Sequence, residues 1–79
     1  MYTEAMKRAF RSLEAPKGFY VDVIDNDHFL TIKAKEDVFM RLNSEEKMIA
    51  VEYMIRAKKA LEDNGAIVLL VREGGKEDV

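Results

Sequence analysis

At 79 residues, 48% hydrophobic and 35% charged, the chain has the length and composition of one globular domain near the lower limit for a self-supporting core. A formal net charge of −2 gives no global attraction to polyanions, and the lack of cysteine excludes disulfides, thiol catalysis and thiolate metal sites. No apolar run approaches the ~20 residues of a membrane span and the charged, amphipathic N-terminus does not read as a signal peptide, so a soluble cytoplasmic protein is expected.

Residues 1–14 place Tyr2, Met6, Ala9, Phe10 and Leu13 at helical spacing, with Lys7, Arg8 and Arg11 on the opposite side. Thr3 is the candidate cap. Pro16 and Gly18 end this helix, because the residue before a proline leaves the α region and glycine permits a turn. Residues 19–24 (FYVDVI) are rich in β-formers, and Asp25-Asn26-Asp27 is turn chemistry. Residues 28–35 (HFLTIKAK) read as the return strand. In the natural hairpin register Phe19, Val21 and Val23 share a face with Leu30, Ile32 and Ala34. The other face carries Tyr20, Asp22, Ile24, Phe29, Thr31, Lys33 and Lys35.

Residues 36–42 (EDVFMRL) predict one or two helical turns, with Asp37 as a candidate cap. Residues 43–65 (NSEEKMIAVEYMIRAKKALEDNG) are the longest periodic stretch. Asn43 and Glu46 form a capping box, Glu45 and Glu46 sit at the positive end of the dipole, and Asn64-Gly65 supplies the stop. A helix over 44–63 follows, near 30 Å long at ~1.5 Å per residue. Steps of ~100° put Ile49, Ala50, Tyr53, Met54, Ala57, Ala60 and Leu61 on one broad apolar face. Met48, Val51 and Ile55 make a second, narrower stripe, and Glu45, Glu52, Arg56, Lys59 and Asp63 form the wet face. Residues 66–71 (AIVLLV) are apolar throughout, the pattern of a strand covered on both faces. Residues 72–79 read as a frayed tail.

The order helix, strand, strand, short helix, long helix, strand predicts a two-layer α+β domain, a three-stranded mixed sheet with helices on one face. If the last strand is adjacent to the second hairpin strand, it runs parallel to it under the right-handed crossover rule. A single domain over 1–73 is expected, with 74–79 as a flexible tail. On the outer sheet face Tyr20, Ile24 and Phe29, with alternate residues of 67–71, are left without cover. A patch of that kind exceeds what monomers usually expose. The expected partner is a second copy, a homodimer formed through this face or through the Met48, Val51 and Ile55 stripe. In the alternative arrangement the first helix covers the stripe and the outer patch is small.

Chemistry is sparse. His28 is the only histidine, and Asp25, Asp27 and His28 read as a turn rather than a cation site, since the calcium-loop spacing is absent. Gly74-Gly75-Lys76 lacks the strand-before, helix-after setting of a phosphate loop. Glu52/Arg56 and Lys59/Asp63 have the spacing of helix-surface pairs, not of catalytic carboxylates. No nucleophile–base couple stands out, so neither an enzyme nor a cofactor is expected. For nucleic acid, the candidate contacts are Lys33 and Lys35 beside Tyr20 and Phe29, with Lys7, Arg8 and Arg11. At this net charge such binding ranks below a protein interface.

His28-Phe29 opening the second strand, Asp37-Val38-Phe39 entering the short helix and an apolar strand after a long helix resemble the BolA family, whose topology is shared with type II KH domains. The resemblance covers about residues 2–71 and implies the α-β-β-α-α-β order. Where the family has a glycine after that phenylalanine and an Arg-His pair early in the long helix, this chain has Arg41 and Lys47-Met48. In the family that histidine helps hold an iron–sulfur cluster shared with a monothiol glutaredoxin. The KH Gly-x-x-Gly clamp is also missing. The expected role is therefore a non-enzymatic, homo-oligomeric protein-interaction module or adaptor for another protein. A small nucleic-acid-binding regulator is the alternative.

Overall fold

In the computed structural model, which describes residues 1–73, the chain forms α1 (Glu4–Arg11), β1 (Val21–Asp25), β2 (Leu30–Lys35), α2 (Glu36–Met40), α3 (Ser44–Glu62) and β3 (Val68–Glu73). The sheet order is β1-β2-β3, with β1 antiparallel and β3 parallel to the central β2. This is the expected α+β arrangement of helices on a mixed three-stranded sheet.

Local chemistry sets the element ends. The Thr3 hydroxyl accepts from the Met6 N–H at 3.2 Å and starts α1. At the start of α3 the Glu46 N–H donates to the Asn43 side chain at 2.8 Å, and the Asn43 N–H donates back to the Glu46 carboxylate at 2.9 Å. At its end Gly65 takes φ +97°, and the Ala66 N–H returns to the Leu61 carbonyl at 3.1 Å.

Strand register then builds the core. Val21 pairs with Ala34, Val23 with Ile32 and Leu30 with Val68, which places these residues on one face of the pleat. Against that face α3 presents Ala50, Tyr53, Met54, Ala57 and Leu61, all buried. Phe19 fills the seam, with its ring 6.4 Å from both Phe39 and Tyr53 in edge-on contact. From the side, α1 contributes buried Met6 and sets Phe10 6.4 Å from Tyr53.

Several expected boundaries move. The first helix is confined to Glu4–Arg11 and the first strand starts at Val21 rather than at Phe19, whose ring is drawn into the aromatic seam. β2 starts at Leu30 because the turn consumes His28 and Phe29: the Asn26 N–H donates to the Phe29 carbonyl and the His28 N–H to the Asn26 carbonyl, each at 2.9 Å. Lys35, not Asp37, occupies the cap position of α2 and makes no side-chain capping bond. The last strand begins at Val68 and continues through Arg72 and Glu73, paired with Ala34 and Lys35, so these two residues belong to the sheet and not to a tail. The flexible tail assigned to 74–79, with Gly74-Gly75-Lys76, lies outside the described residues.

Two expectations about cover are corrected. Ile49, placed on the broad buried face, is exposed; it sits roughly 100° from the centre of that face, at its very edge. The unbroken apolar strand is not covered on both faces either. β3 is an edge strand, and Ile67, Leu69 and Leu70 are all exposed.

Candidate interaction surface

The helix geometry decides which apolar residues of α3 reach the sheet. At ~100° per residue the buried set centres roughly 140° away from Met48, Val51 and Ile55. The stripe therefore points away from the core. Met48 is 66% exposed and Ile55 54%, with Val51 also exposed. Between Met48 and Val51 lies a shallow depression bordered by Lys47 and Glu52. The arrangement in which the first helix covers this stripe is ruled out: α1 meets α3 on the Phe10–Tyr53 side.

A charged strip borders the stripe on one flank, made of Glu45, Glu52, Arg56 and Lys59. Lys59 reaches Asp63 at 3.6 Å, and on the other flank Lys58 is held by Glu62 at 2.6 Å. The expected Glu52/Arg56 pair is not formed. Among the described residues Glu45, Glu52 and Arg56 have no ion-pair partner within the chain.

The outer sheet face is more mixed than expected. One cross-strand row is Ile24–Thr31–Leu69 and the next is Asp22–Lys33–Val71. Ile24 and Leu69 are exposed, but the charged row separates them from Tyr20, which precedes β1 and is 75% exposed. Tyr20 and Ile24 are about 13 Å apart along an extended chain. Phe29 is only half-buried and shares a cleft with Met6, Leu30 and Ile67 instead of standing on the sheet. Tyr20, Ile24 and Phe29 are thus not one patch.

The candidate nucleic-acid contacts are likewise divided. Lys33 stands half-buried on the outer sheet face, whereas Lys7, Arg8 and Arg11 belong to α1 in the helical layer. Lys7 is also engaged, 3.5 Å from the Glu4 carboxylate and 5.6 Å from the centre of the Tyr2 ring. Lys35 is exposed at the end of β2. No single face joins these five residues.

At the hairpin tip the turn chemistry accounts for Asp25. One carboxylate oxygen accepts from the Asp27 N–H at 3.0 Å and lies 2.8 Å from the N-terminal ammonium; the other accepts from the Tyr2 N–H at 3.0 Å. The ammonium bond, ahead of the backbone N–H bonds, holds this carboxyl below the usual range. Asp27 takes φ +74°, a conformation aspartate tolerates. The N-terminal partner has no sequence signal, since it depends on folding the chain start onto the turn. Burial pushes the Tyr2 and Tyr53 phenols up. No cluster of three or more histidine, aspartate or glutamate side chains suited to a metal occurs among the described residues. No helix among them is long and apolar enough to cross a membrane.

Comparison with protein-family models, with curated proteins and with solved structures finds no match in any of the three.

Proposed function

We propose that the protein is a small, non-enzymatic interaction module that works as a homo-oligomer. One observation carries the reading: the best-formed helix of the domain exposes Met48, Val51 and Ile55 on the side turned away from its own core. Large apolar side chains scattered singly on a surface need no explanation, but an aligned row on one helix is the pattern of an interface. The open apolar edge at Leu69 and Leu70 adds to it.

Sedimentation velocity across a concentration series tests the proposal. Association that increases with concentration is the expected result; a single monomeric species throughout would count against it. The BolA-like and KH-like order of elements suggests nucleic-acid regulation instead, but an order of elements does not confer a function. Binding of single-stranded or duplex nucleic acid that weakens steeply with added salt would favour that second reading.

A further inference from the structure

We infer that the occupant of the α3 stripe is α3 of a second copy, packed antiparallel about a two-fold axis near Val51 and Glu52. This inference rests on the homo-oligomer reading and adds the interface and its direction. The charges along α3 choose the direction. Glu45, Glu46 and Glu52 outnumber Lys47 in its first half, and Arg56, Lys58 and Lys59 outnumber Glu62 in its second. Segregation of this kind also suits the helix dipole, so by itself it selects nothing. What selects is position.

Glu45, Glu52, Arg56 and Lys59 form one flank of the exposed apolar stripe, and the first three have no ion-pair partner in their own chain among the described residues. A two-fold antiparallel pair brings the same flank of both helices together with its direction reversed. Glu45 then faces Lys59 of the other copy, while the two Glu52 side chains meet near the axis, each about one helical turn from Arg56 of the other copy. Met48 and Ile55 close over each other on either side of Val51, filling the depression between Met48 and Val51. A parallel two-fold pair would instead bring opposite flanks together, with Glu45 beside Lys47 but Arg56 and Lys59 beside Lys58 of the other copy, like charges in the second half of the seam. A second copy therefore supplies both the apolar cover and the missing counter-charges.

The chain has no native cysteine, so single-cysteine variants report this geometry cleanly. Near the axis, Val51→Cys should give a disulfide-linked dimer under mild oxidation. Two copies of Glu45→Cys would lie about 20 Å apart along the axis, too far for a disulfide. Glu45→Cys should stay unlinked alone, while the Glu45→Cys/Lys59→Cys double variant links. In parallel, Ile55→Lys should weaken self-association roughly tenfold or more with an unchanged thermal transition, because Ile55 is exposed in the single chain. Equal linking of Glu45→Cys and Val51→Cys would overturn the antiparallel pairing. A wild-type dimer indifferent to Ile55→Lys but lost in Leu69→Lys would overturn the α3 interface and leave the homo-oligomer reading standing. A wild-type protein that is only ever monomeric would remove both.

Discussion

Asn43 illustrates how much one residue settles. Its side chain and that of Glu46 satisfy each other's backbone N–H groups at the start of α3. Asn43→Ala should cost about 1 kcal/mol, seen as a lower urea midpoint with an unchanged slope. Gly65 closes the other end at φ +97° with nothing near the place a Cβ would take, so Gly65→Ala should cost about 1–2 kcal/mol from backbone strain alone. Both sites were legible in the sequence because capping is local chemistry. Asp25 was legible only as a turn residue, since its Tyr2 and Met1 partners lie more than 20 residues away. Its carboxyl is held below its ordinary value by the N-terminal ammonium and by the Asp27 and Tyr2 N–H groups. A depressed folded value means the stabilisation is full above the unfolded value of about 3.9 and fades as pH falls through the folded one. Asp25→Asn should therefore lower the melting temperature at pH 7 and flatten its decline below about pH 4. Parallel melting curves for the two proteins across that range would remove the assigned role.

Among the elements, α3 was the most legible and the most informative. Its period separated two apolar faces, and the structure buries one of them against the sheet. Ile49 defeated the same reasoning because it sits on the boundary, where a small rotation of the helix decides between core and water. The hairpin faces followed from alternation, so Ile32 was expected inside and is fully buried. Ile32→Ala should cost about 2–5 kcal/mol, the range for emptying a closed core site. Ile55→Ala should change the stability of the single chain by no more than about 0.5 kcal/mol, as exposed positions do. Urea unfolding of both variants at a dilution that keeps the chain monomeric checks this contrast between the two faces. β3 misled in a different way. Its apolar run matched a strand covered on both sides, but coverage depends on neighbours, and among the described residues β3 has one only on its β2 side. Leu70 shares the inner face with Ile32 yet remains exposed at that edge. Strand order is a long-range property, which the composition of the strand does not carry.

For the molecule as a whole, element order was enough to reach the α+β class, and the crossover rule gave the parallel sense of β2 and β3 on condition that they are neighbours, as the structure places them. They did not determine where α1 docks. By packing Phe10 against Tyr53, α1 spends its apolar face on the core side of α3 and leaves Met48, Val51 and Ile55 to water. It also parts the basic residues of α1 from Lys33 on the opposite layer, which weakens the case for one nucleic-acid face. The proposed role follows from this distribution: a small domain whose longest helix joins its own sheet on one side and another copy on the other. Sedimentation equilibrium of the wild type and Ile55→Lys over a common concentration series tests this most directly. The wild-type mass should rise towards twice 9.1 kDa with concentration, while Ile55→Lys should require roughly tenfold more protein to do the same. A mass fixed at 9.1 kDa for both, or identical association curves for the two, would contradict it.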